Sequence, residues 1–269
     1  MESSALDSSA IPATETLSAT ARRRLLSIRG EPLFVADWDG ILMIHFAVDA
    51  GRLQRDVPFE LDLWKGQAYM SLVAFTLRGL KPRFGGRVGE LLLRPIATHH
   101  FLNVRTYVNQ GDETGIHFLA EWLSNRLAVR LGPSTFSLPY RYGRIEYHHG
   151  RNARGELNLD GRVTDVRNGA TLVYRARSQT EASCELEPCV TGSIDEWLME
   201  RYTAFNCLTG RRRFFRVWHE PWLQRRVEVQ LLEDSLLRLN WPWFCEALMV
   251  GANFSPSAGE VWLGRPHRC

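Results

Sequence analysis

The stretch His99–Trp122 reads HHFLNVRTYVNQGDETGIHFLAEW. Its first half alternates: Leu102, Val104, Thr106 and Val108 share one face of an extended chain, while Asn103, Arg105 and Tyr107 share the other, with His99 and Phe101 beside them. Its second half sets Ile116, Phe118, Ala120 and Trp122 against His117, Leu119 and Glu121. The Asn109–Thr114 loop joins the halves into a hairpin, and pairing Val108 with Ile116 superimposes the two apolar faces. That register predicts Tyr107 opposite His117, Arg105 opposite Leu119 and Asn103 opposite Glu121, with Arg105 diagonal to His117 and Glu121. The polar face has two readings. It is the wet side of a hairpin, with Arg105 and Glu121 as a surface ion pair worth under about 1 kcal/mol. Alternatively it lines a cavity inside a curved sheet, where Arg105 holds a carboxylate and Glu121, His117 or Tyr107 moves protons.

Outward from this hairpin, short apolar runs separated by Gly, Asp and Asn predict further strands at Ile41–Val48, Ala68–Phe75, Arg144–His148, Thr171–Arg177, Phe214–His219 and Val227–Leu232. Trp64–Gln67 reads as a turn. Helices are few. Ser193 and Glu196 form a capping box, and Ile194, Trp197, Leu198, Tyr202 and Phe205 then fall on one helical face. A shorter helix is expected over Asn125–Leu131, closed by Gly132 and Pro133, and another around Arg52–Val57. The predicted class is α+β, mainly antiparallel β. Residues 1–30 read as a disordered tail, Ser/Ala/Thr-rich at its start, and residues 31–269 as a single domain.

The chain has 269 residues, 45% apolar and 23% charged, enough for a full core. No apolar run has the length of a membrane span, and a net charge of +3 gives no strong field toward nucleic acid or anionic lipid. A soluble protein without membrane or nucleic-acid partners is expected. Only Lys65 and Lys81 are lysines, which removes nearly every candidate for amine chemistry. Five widely spaced cysteines fit neither a disulfide framework nor a zinc site, and with no secretory pattern the expected setting is cytoplasmic.

Beyond the central Asn103-Val104-Arg105-Thr106-Tyr107-Val108 and Gly115-Ile116-His117-Phe118 strings, three blocks follow in order: Leu138-Pro139-Tyr140, Glu200-Arg201-Tyr202 and His219-Glu220-Pro221-Trp222. Together with Trp38–His45 and Asp62–Phe75, they make the chain resemble the YqjF-like family of uncharacterised proteins, domain of unknown function 2071, whose fold is grouped with acetoacetate decarboxylase. The resemblance covers Pro32 to Leu263. It implies strongly bent antiparallel sheets that enclose a cavity, with a few packed helices. In the decarboxylase that cavity holds a Schiff-base lysine, which must be desolvated among cations to be unprotonated near neutral pH. Here the matched central segment contains no lysine, and Lys65 and Lys81 read as solvated turn and loop positions. Phe101 stands where relatives are expected to carry an acid, which weighs against a two-carboxylate mechanism.

Other signals are weaker. His99-His100 and His148-His149 point to opposite strand faces and cannot chelate as pairs; a metal site from His45, His117 and His219 lacks ligand spacing. Arg211-Arg212-Arg213 beside Phe214 and Phe215 reads as a solvated strand edge rather than a single-strand binder. No phosphate-binding glycine motif or nucleophile elbow occurs, so no cofactor is expected. Two functional readings stand. In the first, the cavity binds a small anionic metabolite, an organic acid, through Arg105, Asn103, Tyr140 and His219. In the second, it houses a lyase or isomerase acting on a keto or hydroxy acid. There Arg105 is the anion clamp, Glu121 or His117 the base, and Tyr107 a proton donor.

Overall fold

The computed structural model describes residues 15–151, 157–178, 185–208 and 210–269. In chain order these form helix α1 (Leu17–Leu26), strand β1 (Phe34–Val48), α2 (Ala50–Asp56), β2 (Glu60–Leu61), β3 (Ala68–Pro82), α3 (Gly86–Leu93), β4 (His99–Gln110) and β5 (Glu113–Leu123). There follow α4 (Arg126–Phe136), β6 (Tyr140–Arg151), β7 (Leu157–Asp165), β8 (Thr171–Ser178), β9 (Glu187–Pro188) and α5 (Ile194–Met199). The chain ends with β10 (Thr203–Leu208), β11 (Arg211–Trp218), β12 (Leu223–Glu233), α6 (Ser235–Asn240), β13 (Leu248–Leu263) and β14 (His267–Arg268).

The strands close on themselves twice. One ring runs β5-β6-β7-β8-β12-β13-β1-β3-β4 and returns to β5. A second leaves β5 through β10 and β11, meets β13, and shares the wall β13-β1-β3-β4. Pairing is antiparallel throughout the long wall and, among the described residues, parallel only where β5 meets β6 and β10. This is a mainly antiparallel α+β fold of bent sheets, as the sequence predicts. Closure explains its stability, because the shared strands expose no edge.

Because side chains alternate along a strand, the shared wall feeds two cores. Leu42, Ile44, Leu72, Val104, Ala120 and Trp122 belong to a core completed by β7, β8 and β12. Ile41, Met43, Val73, Phe75, Phe101 and Tyr107 belong to a second core, completed by Ala204 of β10, Phe215 of β11 and the α5 residues Leu198 and Met199. A strand buried on both faces reads as a continuous apolar run, which is why Ile41–Val48 and Ala68–Phe75 stand out in the sequence.

Four expectations are corrected. Residues 15–30 are not a tail: Thr16 Oγ1 accepts from the Ala19 amide, and α1 packs Ala21 and Leu25 on Tyr202 and Trp218; residues 1–14 of the expected tail lie outside the described residues. The capped helix stops at Met199. Phe205, counted on its apolar face, belongs instead to β10, whose alternation mimics a helical period over so short a run. Helix α4 continues through Pro133 to Phe136, since Asn125 Oδ1 caps its start and Ser137 closes it with φ 58°. Lys81 lies near the end of β3 rather than in a loop. Strands β7 and β13 were also not expected. β13 carries Gly251, Pro256 and Gly259, and its neighbours hold it in the sheet against its local propensity. No helix among the described residues is long and apolar enough to cross a membrane.

Candidate functional site

The hairpin β4–β5 forms, but with a bulge. Asn103 faces Glu121 and Val104 faces Ala120, as the sequence predicts; beyond them Arg105 faces Phe118, Thr106 faces His117 and Tyr107 faces Ile116. Leu119 is the extra residue. A bulge of one residue exchanges the faces of everything beyond it. Ile116 and Phe118 therefore join the second core with Arg105 and Tyr107. His117 turns to the opposite side, packs its ring at a tilt on Phe59 and bonds the Phe205 carbonyl through Nδ1 at 2.9 Å. The expectation of His117 beside Arg105 is overturned; it is not available there as a base.

Arg105 is buried inside the second ring, 6% exposed. It stands in a cross-strand row with Ser71 and His45. Its Nη2 donates to the Leu198 carbonyl at 3.0 Å, and Nε has no partner. Among the described residues no carboxylate pairs with it, so the expected alternative of a surface pair with Glu121 does not form. Leu198 lies in the last turn of α5, where carbonyls have no partner within the helix, so the early stop at Met199 creates this acceptor. The Tyr107 hydroxyl donates to the same carbonyl at 3.0 Å and meets Ser71 Oγ at 2.6 Å; Ser71 in turn meets His45 Nδ1 at 2.7 Å. His45 and Ser71 thus extend the network that the hairpin alone suggested. Their only sequence signal is polarity inside apolar runs.

The Arg105 charge is felt around it. Burial first and Arg105 second depress His45 to about 3. Burial holds His219 at about 4, with Arg105 again opposing its protonation. His219 bonds the Glu220 carbonyl through Nδ1 at 2.7 Å and packs at a tilt against Trp222 and Tyr202, with ring centroids 4.3 and 4.8 Å apart. Among the described residues no three His, Cys, Asp or Glu side chains cluster as metal ligands.

Asn103, Glu121 and Tyr140 meet at a cavity of about 90 Å³ in the same core, walled by Phe101, Phe118 and Phe215. That space exceeds what one water needs. Phe101, where the family pattern led us to expect an acid, stacks on Phe75 with centroids 5.0 Å apart. Glu121 is 3% exposed, its Oε2 unpartnered, and burial pushes its carboxyl well above the usual range. Burial therefore favours its protonated form over the carboxylate. Burial, then the neighbouring Glu121, raises the Tyr140 phenol. Asn103 Oδ1 is also without a partner. A larger groove of about 450 Å³ runs outside α5 past Trp64, Trp197 and Arg201. It is the weaker candidate, because two of its arginines already have carboxylates: Arg201 with Asp62 at 2.8 Å and Arg216 with Glu113 at 3.1 Å.

The chain is similar to known proteins over most of its length. Residues 35–241 match the family model described as "Uncharacterized conserved protein", domain of unknown function 2071. The protein YqjF of Bacillus subtilis (strain 168) is 29% identical over 201 residues, covering 74% of this chain and 78% of that protein. Among solved structures, an acetoacetate decarboxylase-like enzyme from Sphingomonas wittichii RW1 superposes with a TM-score of 0.59 at 16% identity, over 89% of this chain and 94% of that one. The enduracididine biosynthesis enzyme MppR, solved in complex with pyruvate, gives 0.60 at 13% identity over 88% and 90%. At such identities the shared property is the fold, which is the acetoacetate decarboxylase-like fold implied by the sequence motifs. With the family model matched over most of this chain, the chain belongs to the YqjF-like family, domain of unknown function 2071.

Proposed function

We propose that this protein binds a small carboxylate-bearing metabolite inside the second ring, with Arg105 as the anion-holding group. The supporting observation is the unpaired guanidinium. Buried charges in folded proteins are paired as a rule, because an isolated one costs several kcal/mol. Arg105 is buried with Nε unsatisfied and no carboxylate beside it, a state that a bound organic acid would complete with charge-assisted hydrogen bonds. Asn103, Glu121 and Tyr140 supply polar groups to the cavity in the same core, and its aromatic walls favour an apolar remainder on the ligand. The pyruvate complex of MppR supports a keto acid as the first ligand to try. The free cysteines Cys189, Cys207, Cys245 and Cys269 fit a reducing, cytoplasmic setting.

A second reading, a lyase or isomerase on a keto or hydroxy acid, draws support from Glu121. As a neutral carboxylic acid it would serve as proton donor to a carbonyl or enolate oxygen, with Tyr107 relaying through Ser71. It would not run through a Schiff base, since Lys65 and Lys81 are both exposed.

The test is a thermal-shift screen of short keto, hydroxy and aryl carboxylic acids, followed by titration calorimetry on hits. A ligand at a hundred times its Kd adds about 2.7 kcal/mol of stability. Acids should bind and their amides should not, and Arg105→Met should abolish the difference. Equal binding by Arg105→Met removes the assignment. Incubating a hit with the protein and following it by NMR separates turnover from binding.

A further inference from the structure

At the far end of β3 the chain leaves the barrel through Gly85 (φ 109°) and Gly86 (φ 51°), left-handed positions that suit glycine, and enters α3. No residue of this helix is buried. Val88, Leu91 and Leu92, spaced i, i+3, i+4, are 70%, 65% and 75% exposed, and Phe84 just before them is 61% exposed. The glycine side is the one that meets the body: a Cβ on Gly89 would lie 2.6 Å from Pro82 Cγ. A surface helix normally turns such an apolar stripe to the core; here it faces solvent. Alongside, Asn125 Nδ2 donates to the Pro95 carbonyl at 2.7 Å and ties the start of α4 to the turn after α3. α4 adds Leu127, 43% exposed, to the same region.

The charge around this stripe is one-sided. Arg83, Arg87, Arg94, Arg126 and Arg130 are exposed, and Glu90 is the one acid in residues 83–94 and 125–131. The small net charge of the whole chain hides this local concentration. We propose that the α3–α4 face docks on an anionic lipid surface, Phe84, Val88, Leu91 and Leu92 entering the headgroup boundary and the arginines meeting lipid phosphates and carboxylates. The helix is far too short to span and suits shallow, in-plane insertion. A second copy of the chain is a poor occupant, since it would bring arginines against arginines. A structured acidic partner would need a concave surface to receive side chains that stand off the body, whereas lipid deforms to accept them. The sequence-based expectation of no membrane partner rested on spanning length and net charge, and neither bears on a local patch.

The experiment is vesicle co-sedimentation of the full chain with phosphatidylcholine alone and with phosphatidylcholine containing phosphatidylserine. Binding is expected only with phosphatidylserine, and it should weaken at high salt. Arg87→Gln/Arg94→Gln should partition about thirtyfold more weakly, and Leu91→Ser/Leu92→Ser should not bind, with both variants keeping the wild-type circular dichroism spectrum. No binding to anionic vesicles, or equal binding by the variants, overturns the proposal. So does a dimer that the leucine variant dissociates, which would give the face to a second copy. Retention on immobilised polyglutamate without vesicle binding would give it to an acidic protein instead.

Discussion

Arg105 and Tyr107 donate to one acceptor, the Leu198 carbonyl, each at 3.0 Å. The guanidinium is thereby held by a neutral oxygen, and no carboxylate among the described residues pairs with its charge. Two opposing effects follow for Arg105→Met. Losing a hydrogen bond from a charged donor costs about 1.5–3 kcal/mol, while removing an uncompensated buried charge relieves a penalty of comparable size. The expected net change in urea-unfolding free energy is within about 1 kcal/mol. A loss of about 3–5 kcal/mol would mean that the guanidinium is a structural group whose removal breaks the core.

Glu121 gives a pH dependence of definite sign. Its folded pKa is raised by burial above the ordinary value of 4.5, so between those two values the folded state binds more protons than the unfolded one. Stability from this group is fully present below about 4.5 and is lost as pH rises toward the folded pKa, at up to about 1.4 kcal/mol per pH unit. Glu121→Gln keeps the shape and removes the titration. The variant should be more stable than wild type at neutral pH and lose the advantage in acid. Urea midpoints at several pH values decide it, and parallel curves for the two proteins would contradict a neutral Glu121.

The histidines act in the opposite direction. Burial depresses His45 to about 3 and His99, His149 and His219 to about 4. Each is neutral in the fold and protonates in the unfolded chain below about 6.5, so stability is present above that value and lost as pH falls toward 4. Each contributes up to about 1.4 kcal/mol per pH unit, so the four together outweigh the two opposing carboxyls, Glu121 and Glu200, which burial raises. The protein should unfold steeply between pH 6.5 and 4. His149→Gln, which keeps a polar group near Gly40 and Tyr174, should flatten the slope by about one proton; an unchanged slope would show that His149 titrates normally.

How legible was this site? The face shared by Asn103, Arg105 and Tyr107 is written locally, in a strict period of two, and it survives in the fold. The Asn103–Glu121 pairing is also recoverable, because the bulge at Leu119 restores on that side the register it shifts on the other. The bulge left one faint mark, the apolar Leu119 at a position where the alternation calls for a polar residue. Residues 115–122 alternate except at Leu119, and what turns that break into a bulge is distant: Ala120 and Trp122 are claimed by the core with β7 and β8, while Ile116 and Phe118 are claimed by the core with β10 and β11. A strand that serves two cores has no polar face to fix its phase, so pattern alone put His117 on the wrong side. The Leu198 acceptor was hidden for a related reason, since it depends on α5 ending at Met199, and that end is set by the pairing of β10 with β5 and β11.

Gly132 positions Tyr140. A Cβ at Gly132 would lie 2.0 Å from Tyr140 Cε2 and 2.3 Å from Cδ2, so the ring seats itself on a helix position that only hydrogen can occupy. Within α4 the backbone itself would welcome alanine, which gains about 1 kcal/mol over glycine in a helix interior. The two effects separate in a double-mutant cycle. Alone, Gly132→Ala should destabilise by about 1–3 kcal/mol through overpacking and push the Tyr140 ring from the cavity it shares with Asn103 and Glu121. On a Tyr140→Ala background the same substitution has nothing to strike, and it should become stabilising by up to about 1 kcal/mol. Acid binding should fall in Gly132→Ala and in Tyr140→Ala alike. Were the cost of Gly132→Ala identical on both backgrounds, the ring would not be what the glycine accommodates, and Tyr140 would lose its place among the groups that line the cavity.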